Sequence, residues 1–327
     1  MSGWSKEEGG LSMVESWGDY TQEEWLEDRS RVLYEHQGSM RRLSIPTIEE
    51  TLEKLVPTCL PLAATREEKE AFEQAIDKFP QQAVTLQEKL QRHIDNHPNT
   101  SWLQHWWNTD GYLKVNDPTL INVSYFFHFS PTAQLMIPRA VDLLYESAHF
   151  SSSIVHQSMP QRTISKRQTP LCSVAYKYMF NACRIPQLQT GDSYRLYNPY
   201  QNQHVLISCR GQFYSMPLFD NHHQVLSKSI LSQLLSHIYQ QSYTPTENTL
   251  LELGWLTAQH RKDWAKAREE LLKVGGDQMK QALTTLESAT LLLCLDDTEV
   301  RTVPYITIGF SLENFYIDFF FIHSILI

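Results

Sequence analysis

His93 and His97 stand four residues apart, a spacing that can set two metal ligands on one face of a helix. A zinc-hydrolase helix of that kind needs a glutamate directly after its first histidine to act as base. Ile94 occupies that place and Pro98 ends the helix at once, so the pair reads as a solvated helix end and no metal site is expected. The five cysteines (Cys59, Cys172, Cys183, Cys209 and Cys294) are odd in number and widely spaced, with no C-x-x-C pair. That pattern supports neither a zinc ribbon nor a thioredoxin-like site and reads as buried or half-buried thiols in a reducing compartment. By residue type alone, Trp102, Trp106 and Trp107 are core aromatics, and Arg184 and Arg261 (the latter near Trp264) are packing or ion-pair residues. There is no G-x-G-x-x-G and no Walker segment, so a glycine loop for nucleotide phosphates is not supported. A net charge of −9 argues against non-specific nucleic-acid binding, which needs cationic surface to displace counterions.

The elements that must position these residues are legible in part. The 327-residue chain is 42% apolar, with 8 Trp, 15 Tyr and 14 Phe, a composition that can bury a core. Thr65-Arg66-Glu67-Glu68 is a capping box opening a helix whose face carries Phe72, Ile76 and Phe79, with Pro80 as its punctuation. A second amphipathic helix follows through Ala83, Leu86, Leu90 and Ile94 to Pro98. Leu120 to Phe129 reads as a strand; Val205–Ser208 and Gln212–Phe219 read as a hairpin about Arg210-Gly211. Leu226, Ile230, Leu234 and Ile238 mark the buried face of a helix, and Lys262–Lys273 and Asp277–Glu287 are two helices around Gly275-Gly276. Leu291–Leu295 suits a buried strand. The mixture predicts an α/β class; periodicity does not give the topology.

Arg42-Leu43-Ser44-Ile45-Pro46-Thr47-Ile48-Glu49-Glu50-Thr51-Leu52-Glu53-Lys54-Leu55 resembles the first signature of the choline/carnitine acyltransferase family. Leu43, Ile45, Pro46, Ile48, Glu50, Thr51, Leu52 and Leu55 match in register; Met40, Arg41 and Ser44 depart from it. Further matches follow in family order: Trp102-Leu103-Gln104-His105-Trp106-Trp107 with Tyr112, Pro170-Leu171-Cys172, Cys183-Arg184-Ile185-Pro186, and Trp255-Leu256-Thr257 with Arg261 and Trp264. The resemblance implies a carnitine O-acyltransferase, most similar to the soluble fungal-type carnitine O-acetyltransferases, moving an acyl group from a coenzyme A thioester to carnitine. Choline as acceptor, or a non-catalytic binding fragment, are the alternatives. It implies one lobe of the two-lobed coenzyme A-dependent, chloramphenicol acetyltransferase-like fold, a mixed sheet with flanking helices. Coenzyme A or acetyl-coenzyme A is then a co-substrate, with no bound cofactor. Trp107 and Tyr112 match an aromatic pair lining the carnitine pocket in relatives, where a ring face attracts a quaternary ammonium and a Tyr hydroxyl bonds the carboxylate side.

The family's catalytic base is a histidine with a carboxylate four residues on. None of the 13 histidines here has Asp or Glu in that position. Tyr34-Glu35-His36 echoes the catalytic triplet, but Met40 stands where the carboxylate belongs. No catalytic residue is therefore assigned, and the expectation is a truncated form, inactive alone. The expected organisation is a polar lead-in over 1–40, a helical segment over 41–95, a lobe over 96–302 and an atypical apolar tail over 303–327. The resemblance is read as ending near Leu295-Asp296-Asp297, with the tail non-native and no place for it in the lobe; a genuine family variant and a membrane anchor are the alternatives. The acidic N-terminus fits neither a presequence nor a secretory signal, which makes a cytoplasmic monomer without membrane or nucleic-acid partners the expectation.

Overall fold

The computed structural model describes residues 31–96, 101–119, 133–164, 168–243, 253–295 and 317–318. Two compact units emerge: Arg41–Gly111, and the remainder of the chain.

The first unit is helical. Thr47 and Glu50 cap α1 (Ile48–Cys59) reciprocally: the Thr47 hydroxyl accepts from Glu50 N, and the Glu50 carboxylate accepts from Thr47 N. The Thr65–Glu68 box expected from sequence opens α2 (Arg66–Asn96) in the same way. Pro80 does not end that helix as expected: α2 is one element with Pro80 inside it. The physical reason is a stripe that runs through the proline. Phe72, Ile76, Pro80, Ala83, Gln87, Leu90 and Ile94 are the better-covered positions, and they keep helical register on both sides. Leu62 and Leu86 are by contrast 81% and 68% exposed, so this unit does present apolar surface. The unit extends to Gly111, past the border drawn at 95 from sequence. The cause is aromatic packing: Trp106 stacks on His93 at 5.0 Å, Trp102 meets Trp106 edge-on, and the Trp102 indole N–H donates to the Leu43 carbonyl.

The second unit is built on a mixed sheet in the order β6-β5-β7-β8, from β5 (His204–Cys209), β6 (Gln212–Pro217), β7 (Leu292–Leu295) and β8 (Ile317–Asp318). The expected hairpin forms, with Cys209 paired to Gln212 across Arg210 and Gly211. Both turn residues have positive φ, +49° and +74°, the conformation whose twist matches the strands it joins. Arg210 tolerates it because its guanidinium lies on the rings of Tyr239 and Tyr243, 4.4 and 3.5 Å from their centroids. β7 runs parallel to β5, Leu206 opposite Leu292; β5 is mainly buried, and Leu293 and Leu295 of β7 are buried between partly covered neighbours.

Two helices cover this sheet: α3 (Met136–Val155) and α4 (Lys228–Gln241). Ala140, Val141, Leu144 and Ala148 meet Leu231, Leu235 and Ile238 in one core with Val205, Ile207, Leu291 and Leu293. Of the expected face, Ile238 is buried and Leu226 and Leu234 are partly buried, with Leu231 and Leu235 the fully covered positions; Ile230 is exposed, since the Ser227 cap fixes the helix start and the helical face follows from it. The glycine pair divides α5 (Arg261–Ser288) as expected, Gly276 taking φ +53° and ψ −140° inside it. β8 pairs antiparallel with β7, Leu295 opposite Ile317, so part of the tail does have a place in the sheet, contrary to expectation. The strand expected over Leu120–Phe129 lies outside the described residues. Smaller ladders complete the unit: β1 (Thr163–Ile164) with β2 (Thr169–Pro170), and β3 (Ala182–Ile185) with β4 (Ser193–Leu196).

Candidate functional site

Trp107 and Tyr112 fall on one short element, the π-helical segment Trp107–Leu113. Such turns are rare and occur disproportionately at functional positions. Trp107 is half exposed and closes the helical unit; Tyr112 is half-buried and opens the other. Leu113 is buried with Tyr178, Ala182 and Leu196, which anchors the C-terminal end of the segment.

What fixes the backbone after Tyr112 is a cluster of charge. Arg184 on β3, Asp192 just before β4 and Arg261 at the start of α5 have side chains 2%, 1% and 4% exposed. One oxygen of Asp192 accepts from both guanidinium Nε atoms, at 2.6 Å each, and its other oxygen accepts from Gln187 N. Arg184 Nη2 donates to the carbonyls of Tyr112 (3.0 Å), Val115 (2.9 Å) and, more weakly, Leu113 (3.4 Å). Asp192 N donates to Leu113 O, and Arg261 N to Asn116 O, both at 2.8 Å. Two cations on one anion leave an excess positive charge, and it lies where carbonyls at the end of a helical turn converge. Burial holds the Arg184 guanidinium below its ordinary value, with Asp192 opposing that shift only in part.

Arg184 and Arg261 were read from sequence as packing or ion-pair residues, and that is what they are. Asp192 was missed, although a signal existed: an arginine between Cys183 and Ile185 in a buried strand demands an acid from elsewhere. Glu287 was missed likewise. It accepts the Tyr197 hydroxyl on one oxygen at 3.0 Å and Arg268 on the other, at 2.9 Å from Nε and 2.6 Å from Nη2. Burial first, and then Glu287, pushes the nearby Cys183 thiol up to about 12.

Several of the described histidines make structural contacts. His204 Nε2 donates to the Thr285 carbonyl at 2.8 Å beside an open groove of about 450 Å³ along the second half of α5. His156 Nδ1 lies 2.8 Å from the Ser152 carbonyl, and His223 Nδ1 lies 2.7 Å from the Gln203 amide. His36 is exposed, while Tyr34 of the same triplet is fully buried in the core. His97 lies outside the described residues. Among the described residues, no three His, Cys, Asp or Glu side chains converge to hold a metal, and no helix is long and apolar enough to cross a membrane.

The motifs that the cluster ties together come from three separate stretches of sequence, those around Tyr112, Arg184 and Arg261. A comparison with known families matches residues 43–315 to Choline/Carnitine o-acyltransferase, continuing past Asp297, where the resemblance was read as ending. The chain is 27% identical over 277 residues to the mitochondrial carnitine O-acetyltransferase of Saccharomyces cerevisiae, covering 81% of this chain and 40% of that protein. It is 26% identical over 293 residues to the peroxisomal carnitine O-octanoyltransferase of Rattus norvegicus, covering 85% and 46%. Against the liver isoform of human carnitine O-palmitoyltransferase 1 it is 24% identical over 277 residues, covering 83% and 34%. The chain thus spans less than half the length of these relatives. With the match running through the signature segment, the Trp107–Tyr112 segment and the arginines that hold it, this chain belongs to the Choline/Carnitine o-acyltransferase family.

Proposed function

We propose that this chain supplies the acceptor-binding part of a carnitine O-acyltransferase that exchanges acyl groups, acetyl foremost, between coenzyme A and carnitine. The observation that carries this reading is the family match over residues 43–315; the assignment of Trp107 and Tyr112 to the acceptor pocket is supported by their resemblance to the family's aromatic pair. An indole face attracts the trimethylammonium group, and the Tyr112 hydroxyl is a donor for the carboxylate side. The sheet of β5–β8 with α3 and α4 is, on this reading, one lobe of the two-lobed coenzyme A-dependent fold. The cytosol is its compartment, although the yeast and rat relatives carry mitochondrial and peroxisomal names.

The chemistry asks for more than the acceptor site. Carnitine's hydroxyl becomes a nucleophile only when a base removes its proton, and the oxyanion formed at the thioester carbon needs donors placed to receive it. No histidine of this sequence carries a carboxylate four residues on. General-base assistance alone is worth about 10²–10⁴-fold. The chain by itself is therefore a binding module without turnover, which is also the alternative reading from another class of function.

Two measurements on the purified chain test this. Calorimetric titration with L-carnitine is expected to give weak binding that Trp107→Ala and Tyr112→Phe each reduce, with choline as the competing acceptor. Incubation with acetyl-coenzyme A and L-carnitine is expected to release no free thiol above background. Absence of L-carnitine binding overturns the acceptor-site reading, and turnover overturns the binding-module reading.

A further inference from the structure

We propose that Asp192 is a positioning residue: through Arg184 and Arg261 it holds the Tyr112–Asn116 backbone, and with it the Tyr112 ring, in the conformation that receives the acceptor. The proposal rests on the reading of Tyr112 as a pocket residue.

Among the described residues, the side-chain bonds that the cluster makes outside itself, other than the one from Gln187, end on this segment, and two of its backbone N–H groups end there as well. Arg184 takes the carbonyls of Tyr112, Leu113 and Val115, Asp192 N takes that of Leu113, and Arg261 N takes that of Asn116. The Tyr112 carbonyl also accepts from Val115 N at 3.0 Å, so Arg184 joins a turn that starts at the tyrosine itself. Gly191 brings the Asp192 backbone directly onto the segment. A Cβ there would meet Leu113 O and Lys114 Cα at 3.0 Å, and its φ of +84° is one that other residues rarely adopt.

Energetics point to geometry over stability as the role. A buried ion triad gains little net free energy against an apolar replacement of the same volume, because three charges must be desolvated. This one is also incompletely satisfied: Arg184 Nη1 is buried with no hydrogen-bond partner among the described residues. What the guanidinium supplies that an apolar side chain or a lysine does not is a rigid fork, one arm on Asp192 and another across several carbonyls. Such a fork holds one backbone conformation against its alternatives.

The test uses the full chain in three forms: wild type, Arg184→Lys, and Arg184→Met combined with Asp192→Leu and Arg261→Met. Amide hydrogen exchange reports the 112–116 backbone, and L-carnitine titration reports the pocket. In both variants exchange across 112–116 is expected to quicken by about 10-fold or more, the scale of losing hydrogen bonds to a charged group. Amides of β5 and β7 keep their wild-type rates, and the dissociation constant for L-carnitine rises by a similar factor. Unchanged exchange at 112–116 overturns the proposal, as does quickened exchange throughout the sheet, which marks a general structural role. A loosened segment with unaltered affinity breaks the link to Tyr112. If the triple variant does not fold, Arg184→Lys, which keeps the charge and loses the fork, decides the matter. If the wild type binds no L-carnitine, the pocket reading has failed, and exchange alone judges whether the cluster holds the segment.

Discussion

Cys183 and Tyr197 are both kept neutral by the fold. The thiol is pushed from its ordinary 9.0 up to about 12, and the phenol is pushed up as well, in each case by burial first and Glu287 second. A group whose value is raised in the folded state stabilises the fold fully below its unfolded value, and that contribution drains away as pH climbs through the folded one. Stability is therefore expected to be insensitive to these groups up to about pH 9 and to fall between about 9 and 12. Urea unfolding of Cys183→Val across that window should show a shallower decline; an identical slope would remove Cys183 from the account. At this scale the sequence was half legible. An arginine flanked by apolar residues announces an ion pair. Asp192 after Gly191, and Glu287 near a helix end, look like solvated acids until the chain is folded around them.

Helices were read well where side chains close on their own backbone and poorly where tertiary packing overrides a local rule. The Thr65–Glu68 box and the turn at Arg210-Gly211 are local chemistry, and both formed as expected. Pro80 was read as a stop because proline removes a backbone donor and crowds the preceding turn, a cost of about 3 kcal/mol. The helix carries on because the covered stripe from Phe72 to Ile94 continues through it. Pro80→Ala restores the missing bond at a half-buried position and is expected to stabilise the helical unit by about 1–3 kcal/mol. Chemical denaturation followed by helical circular dichroism checks this; a loss of stability would mean that the pyrrolidine ring contributes more to packing than it costs. The α4 face was read correctly at Ile238 and missed at Ile230, because four-residue repeats fit several helical faces, and only the Ser227 cap and the facing α3 choose among them.

For the whole molecule, the family and the α/β mixture were legible, and the extent of the match was not. Compositional oddity after Arg301 suggested foreign sequence, yet the family match runs to residue 315 and Ile317–Asp318 joins the sheet beside β7. Deletion after Thr302 removes β8 and bares the edge of β7, a template for pairing with other chains. Soluble yield after that deletion is expected to fall, and size-exclusion chromatography of the truncated chain to show larger species. An equal or higher yield would show that β8 adds nothing to the sheet.

The parallel pairing of β5 with β7 also sets a timetable. Leu206 meets Leu292 only after about 86 intervening positions have been made. At roughly 5–20 residues per second on the ribosome, the β5–β6 hairpin waits on the order of 4–17 s with one apolar edge unmatched. Closing so long a loop is also a slow step for a chain released from denaturant. Throughout that interval, the nascent hairpin presents an unpaired strand edge, the feature that makes nascent chains prone to aggregate. Slowing translation within Lys228–Ser288 would lengthen exactly that exposure, while the finished protein would carry no trace of it.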